Sequence, residues 1–155
     1  MALFLSTVVN KVDRKGRVSV PAPFRAVVAG QSFQGIVAIP SFKAPALQCG
    51  GMDWMERLSA GVDGFDIFSE EHDALTAALF ANAQPLAFDG EGRIVLPAPL
   101  MEHAHIADRA CFAGRGPTFE IWQPEEFTRY QAEQTRLVSE RGLTLRRPGD
   151  RGSER

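Results

Sequence analysis

A thirteen-residue block that occurs twice constrains this chain more than any other feature of its sequence. The block VDRKGRVSVPAPF, residues 12–24, returns 76 positions later as FDGEGRIVLPAPL, residues 88–100, and the two copies align without a gap. Six of the thirteen positions are identical, and most of the others are conservative replacements. Because a repeated block indicates a repeated structural unit, we expect the chain to contain one small fold twice.

Each copy opens with Asp-x-x-Gly-Arg between alternating apolar residues, which is typical of a β-hairpin. Gly16 and Gly92 end the predicted three-residue turns, since glycine reaches the positive φ that such turns need. Asp89 then faces Arg93 in the second copy. The register of the first copy predicts three facing pairs, which are Lys11 with Ser19, Val12 with Val18, and Asp13 with Arg17.

Further elements follow each copy of the block. Pro21 ends the second strand because proline has no amide hydrogen for the ladder, and a short helix follows. The stretch Cys49-Gly50-Gly51 is expected to break the chain, and Ser69 is expected to cap a helix. The other predicted elements are helices at residues 22–29, 52–60, 70–83, 99–104 and 124–140, and strands at 35–40, 46–48, 110–114 and 118–123.

The opening segment, the doubled block and the later FEIW strand resemble the MraZ family over roughly residues 3–130. The resemblance implies an α+β fold made of two tandem AbrB-like swapped-hairpin β-barrel units with short helices and a helical insert. It divides the chain into a first domain with the basic hairpin, an insert, a second domain, and a helix end with a flexible tail. These segments are residues 1–48, 49–83, 84–130 and 131–155.

The resemblance also implies a function. Members of the MraZ family are bacterial transcription regulators that assemble as homo-oligomeric rings and bind short repeated DNA elements. For this chain that implies a cytoplasmic, nucleoid-associated, sequence-specific DNA-binding protein. Its sites would be repeats upstream of the division and cell-wall gene cluster.

The charge distribution is uneven along the chain. Residues 1–48 hold six cations and one acid, whereas residues 49–110 hold three arginines and eleven acids. The net charge of −2 therefore hides a basic first region, which favours contact with an anion, although solvated loops would also fit. The predicted DNA-binding residues are Lys11, Arg14, Lys15, Arg17 and Arg25.

Arg17 has two competing roles, because it lies opposite Asp13 and the pair is kept in the second copy. The residues Asp13, Gly16, Asp89, Gly92 and Arg93 are therefore interpreted as structural turn residues. Gly90 and Glu91 replace Arg14 and Lys15 in the second turn, and an acidic tip repels phosphate. A single basic ribbon binds weakly, so several copies in an oligomer would supply the affinity.

Other classes of protein fit the sequence less well. Two cysteines without CxxC spacing favour a reduced, cytosolic chain, and no segment is typical of a membrane span or signal peptide. His72, His103 and His105 lack metal-ligand spacing, so we expect no metal site. Gly90-x-Gly92 lacks the third glycine of a dinucleotide site, and we expect no cofactor, catalytic residue or small-molecule substrate. The main alternative is a protein-assembly or antitoxin-like module that does not bind DNA. An enzyme is the third.

Overall fold

A computed structural model describes residues 2–145, and the polar tail expected to be disordered, residues 146–155, lies outside the described residues. Alternating apolar residues form short strands, as the sequence predicts. The strands are β1 Thr7–Lys11, β2 Arg17–Ser19, β3 Gly35–Pro40, β4 Ala46–Gly50, β5 Gln84–Ala87, β6 Arg93–Val95, β7 Arg109–Gly114 and β8 Phe119–Trp122.

The helices follow the predicted order. Ser69 begins α3 as expected, since its Oγ accepts a hydrogen bond from the amide of His72 at 3.1 Å. A π-helical turn, Thr76–Phe80, continues α3 where the sequence predicts one regular helix. The helices are α1 Ala22–Val28, α2 Met52–Val62, α3 Glu70–Leu75, α4 Ala98–His103 and α5 Pro124–Arg141.

Strands from both copies of the repeat share one open antiparallel sheet. Its order is β1-β7-β8-β4-β3-β5. The pairs at its two ends are equivalent, because β1 of the first copy pairs with β7 of the second and β5 of the second copy pairs with β3 of the first. Strands β2 and β6 form a separate two-stranded ribbon. The fold is therefore α+β, and the strands within residues 2–145 form no closed barrel.

The predicted hairpin pairing is wrong, although the turn itself is present. Strand β1 pairs with β7 over five residues, so Lys11 lies opposite Arg109 rather than Ser19. The two other predicted pairs form, because Val12 bridges Val18 and the Asp13 amide donates to the carbonyl of Arg17 at 3.0 Å. After these pairs the strands diverge, since β1 and β2 each gain a partner from the other copy.

The predicted break at Cys49 and Gly50 is also wrong, because both residues belong to β4. Gly50 suits a strand here for a steric reason. A Cβ atom at this position would lie 2.7 Å from the indole ring of Trp54, so only glycine allows the ring to pack there. The chain leaves the strand one residue later, at Gly51, which precedes α2.

The core is shared between the two copies. The alternation of the two hairpins predicts one shared apolar face in each copy. Six of these residues are buried in the core, and Phe88 is partly buried against it; the six are Val12, Val18, Val20, Leu86, Ile94 and Leu96. At its centre Phe119 contacts Phe4, Phe24 and Phe112, with ring centroids 4.8, 5.0 and 6.1 Å away. Because β3 is buried on both faces, a second cluster lies across the sheet, where Val37 and Ile39 pack with Trp54 and Met55 of α2.

The chain divides into two compact units by its internal contacts. The first ends at Pro124 and contains both copies of the repeat. The second begins at Glu125, and its described part consists of α5 and the residues after it. Gly142 follows the helix with a φ of +59°, which confirms the predicted stop.

Candidate nucleic-acid interface

The first turn is built around the carboxylate of Asp13. Its Oδ1 accepts hydrogen bonds from the backbone amides of Lys15 and Arg17, both at 2.9 Å, and its Oδ2 accepts one from Nε of Arg17 at 2.6 Å. Gly16 has a φ of +81° and donates its amide to the Asp13 carbonyl at 3.0 Å. One carboxylate therefore fixes both the backbone of the turn and the direction of the arginine side chain.

The second turn repeats this geometry atom for atom. Oδ1 of Asp89 accepts the amides of Glu91 and Arg93 at 2.9 Å, and Oδ2 accepts Nε of Arg93 at 2.8 Å. Gly92 has a φ of +75°. Because two different tip sequences share one set of hydrogen bonds, the tip residues are not needed to build the turn.

The amide donors lower the pKa of both carboxyls. The backbone N–H of Arg17 lowers the pKa of Asp13 most, helped by the Arg17 side chain and the Lys15 amide. The amides of Arg93 and Glu91, with the Arg93 side chain, lower the pKa of Asp89. Each carboxylate therefore stabilises the fold above its unfolded pKa of about 3.9, and this stability is lost as pH falls through the lower folded value.

This linkage predicts how Asp89→Asn changes the acid sensitivity of the fold. The unfolding free energy of the variant should depend less on pH between pH 4 and pH 2 than that of the unmodified chain. Urea unfolding at several pH values measures it. Asp63→Asn is a matched control, since the exposed Asp63 side chain accepts no hydrogen bond from residues 2–145. An equal pH slope for Asp89→Asn and the unmodified chain would contradict the linkage.

The ribbon of β2 and β6 joins the two turns and exposes one face. Arg17 pairs with Val95 and Ser19 with Arg93, and the Val18–Ile94 pair between them is buried. Paired residues point to the same side, so two arginines, one serine and one half-exposed valine share the outer face. From the sequence Arg93 was expected only in a turn, and the β2–β6 register is what brings it to the same face as Arg17.

Each turn also anchors the end of the other copy's strand. The carbonyl of Gly16 accepts the amide of Leu96 at 2.9 Å, and that of Gly92 accepts the amide of Val20 at 3.1 Å. The two turns therefore lie at opposite ends of the ribbon. The hydrogen bond that Arg93 donates to Asp89 raises the pKa of Arg93 most, and the charge of Asp13 at the other turn also contributes.

Three of the predicted DNA-binding side chains are exposed at the first turn. Lys11, Arg14 and Lys15 form no salt bridge with any residue between 2 and 145. Arg17 is half-buried, and its Nε is occupied by Asp13. These four residues lie on one turn and its flanking strands, so the structure brings them together.

Arg25 lies apart from this group. Its Nε donates to the carbonyl of Val20 at 3.2 Å, and its guanidinium covers Gly92, where a Cβ would lie 2.3 Å from Nη1. Arg25 therefore stands at the second turn, beside the acidic tip. Met101, the equivalent residue of the second copy, lies against Gly16, with its Sδ 3.7 Å from a Cβ built there.

The two cysteines are not part of this surface. Cys49 and Cys111 are free thiols buried in the sheet, and burial raises the pKa of Cys111 to about 11. Within residues 2–145, no three His, Cys, Asp or Glu side chains are grouped to hold a metal ion. None of the helices in this range combines the length and hydropathy that a membrane span requires.

Comparison with known proteins gives consistent matches. A family model described as "MraZ protein, putative antitoxin-like" matches residues 79–144. A protein of Rickettsia bellii (strain OSU 85-389) named "Transcriptional regulator MraZ" is 47% identical over 147 residues, or 94% of this chain and 98% of the relative. Proteins of the same name from Rickettsia rickettsii (strain Sheila Smith) and Rickettsia felis (strain ATCC VR-1525 / URRWXCal2) are 46% and 45% identical over the same shares.

Proposed function

The chain belongs to the MraZ family, and from this membership we propose that it is a transcriptional regulator that binds double-stranded DNA through its first turn. The observation that supports the proposal most is the set of exposed cations at this turn. Lys11, Arg14 and Lys15 have no acidic partner within residues 2–145, so their charge is available to phosphate.

The contact surface is the tip of the first turn together with the outer face of the β2–β6 ribbon. A two-stranded ribbon fits the major groove, where arginine reads guanine and lysine grips phosphate. Asp13 holds Arg17 by Nε alone, so the two terminal nitrogens of its guanidinium have no acidic partner in the described chain. In this proposal Arg17 serves both the turn and the DNA, and Arg93 joins it on the same face.

Arg25 has a supporting role in the proposal. It stands at the far end of the ribbon, against Gly92, so its contact with DNA would be with a flanking phosphate rather than a base. Asp13, Gly16, Asp89, Gly92 and Arg93 remain the residues that build the turns.

We further propose that the two copies of the repeat are AbrB-like swapped-hairpin units that have exchanged their first strands. In this proposal the chain is divided according to its sequence repeat and not into parts that are separate in space. The segments are residues 1–48, 49–83, 84–130 and 131–155. The cross-copy pairs β1–β7 and β2–β6 support this proposal, because each unit completes its pairing only with strands of the other.

The remaining parts of the proposal follow from family membership. The chain acts in the cytoplasm at the nucleoid, without catalysis, cofactor or small-molecule substrate. It self-associates into a ring, which presents several first turns to repeats upstream of the division and cell-wall gene cluster. Multivalent contact raises the affinity of a ribbon that binds weakly alone.

A reporter gene placed behind the chain's own upstream region tests the regulator proposal. Expression of the chain should change reporter output when the tandem repeats are intact and leave it unchanged when they are shuffled. The same output with intact and shuffled repeats would contradict sequence-specific regulation. The alternative, an antitoxin-like assembly module, is favoured only by the wording of the family description, and it predicts no response from either reporter.

A further inference from the structure

Three exposed apolar side chains cluster between the end of α2 and the start of α3. In this tip, Phe65–Phe68, the exposed fractions are 45% for Phe65, 67% for Ile67 and 93% for Phe68. Together they expose on the order of 400 Å² of apolar surface, and patches of this size often mark interaction sites.

The tip is held in a fixed conformation despite its exposure. Oδ1 of Asp66 accepts the amide of Phe68 at 2.9 Å, and the Oγ of Ser69 donates to the Asp66 carbonyl at 2.7 Å. The same Oγ accepts the amide of His72 and caps α3. Little backbone freedom is therefore lost when the tip binds a partner, which favours binding.

Acidic residues surround the tip. The segment from Leu58 to Gly92 holds seven acids and no lysine or arginine, and five of the acids lie between Asp63 and Asp73. Like charges repel a second acidic tip and also the phosphates of DNA. The occupant of this surface therefore needs an apolar recess with a cation at its mouth.

One cavity of the same chain has these properties. It encloses about 380 Å³ beside the first turn of α2, and Phe4, Val27, Trp54 and Pro117 form its apolar walls. Arg57 also lines it and is exposed, without a salt bridge to residues 2–145. A cavity of about 150 Å³ already holds benzene, so a phenylalanine ring fits here.

Among the polar side chains that line the cavity, Arg57 is the cation available to a ligand. Gln31 uses its Oε1 to accept the Asp53 amide at 3.2 Å. The Asp53 carboxylate also lines the cavity and opposes an acidic ligand, and it lies one helical turn before Arg57. A second groove between α2 and β5, of about 330 Å³, has Glu56 at its rim and no cation in its lining, so it fits an acidic tip less well.

The tip of one chain does not fill the cavity of the same chain. The cavity lies at the start of α2 and the tip follows its end, and the eight residues from Trp54 to Val62 span about 12 Å. The high exposure of Phe68 also shows that it is outside its own cavity. Contact between two different surfaces on separate copies is heterologous, and its repetition closes a ring or extends a filament.

We propose that the tip of one copy docks into this cavity on the next copy, with Phe68 inside the cavity and Glu70 beside Arg57. The proposal rests on the self-association proposed above and assigns it an interface. Phe68 acts as the anchor, because one fully desolvated aromatic side chain often dominates an interface.

Sedimentation velocity of the full chain, with Phe68→Ser and Arg57→Glu, tests the interface. Both side chains are exposed, so the fold should be kept, which circular dichroism checks. Each variant should weaken association about tenfold or more and form smaller species at the same concentration. Phe42→Ser is the matched control, since Phe42 is 65% exposed on the β3–β4 loop and should leave assembly unchanged.

Mixing the two variants distinguishes this interface from others. Phe68→Ser keeps a working cavity and Arg57→Glu keeps a working tip, so the mixture should form a one-to-one dimer and stop there. Assembly of both variants like the unmodified chain would overturn the interface alone. An unmodified chain that stays monomeric at all concentrations would overturn self-association as well. A mixture without dimers would place the tip elsewhere and overturn the cavity as its site.

Discussion

Replacing the tip of the first turn by that of the second is expected to lower DNA affinity about thirtyfold or more. The change is Arg14→Gly with Lys15→Glu, which removes two cations and adds one acid. Loss of an arginine or lysine contact costs about 1–3 kcal/mol. Loss of two phosphate contacts reduces the steepness of log affinity against log salt by about 2. Fluorescence anisotropy with a labelled duplex at several salt concentrations measures both quantities.

The chain supplies its own controls for this experiment. The second turn keeps the Asp-centred hydrogen bonds with Gly90 and Glu91 at its tip, so the exchanged first turn should fold in the same way. Lys43→Ala removes an exposed cation of the same region that lies outside the turn, and it should change affinity little. If the exchanged variant bound like the unmodified chain, the contact would lie outside the first turn.

Truncation of Phe119 is expected to have the largest effect on stability. Phe119→Ala should lower the unfolding free energy by about 3–5 kcal/mol, because the side chain is fully buried among three other phenylalanines. Since strands of both copies share this core, the compact unit that contains both copies and ends at Pro124 should still unfold in a single transition. Urea unfolding followed by circular dichroism and by tryptophan fluorescence measures the stability and the number of transitions.

Phe42→Ala is the matched control for the core variant. Phe42 is 65% exposed, so its truncation should change the unfolding free energy by less than about 0.5 kcal/mol. Two separate transitions in Phe119→Ala, or a loss similar to that of the control, would show that the copies do not depend on one core.

The two turns could be predicted from sequence because their structure is local. Asp13 bonds to residues two and four positions ahead, and glycine alone supplies the positive φ, so five consecutive residues specify the turn. The pairing of the strands beyond the turn could not be predicted in this way. The partner of Lys11 is Arg109, and a pattern of alternating apolar residues does not choose between partners so far apart in the chain.

The same limit applies to the candidate interface. The cations next to the turn, Arg14 and Lys15, could be assigned from the sequence because the turn fixes where they lie. Arg25 was grouped with them by sequence distance, but α1 carries it to the other end of the ribbon, against Gly92. Arg93 joined Arg17 on one face only through the β2–β6 register, which depends on the exchange of strands between copies.

The binding of the unmodified chain to a duplex with tandem copies of its own upstream region, at two salt concentrations, tests the central claim most directly. The account predicts tight binding that weakens steeply with salt, because several first turns displace counterions from phosphates at once. It also predicts weaker binding to a shuffled duplex of the same length. No binding at low salt by an assembled, folded chain would contradict the assignment of this protein as a DNA-binding regulator.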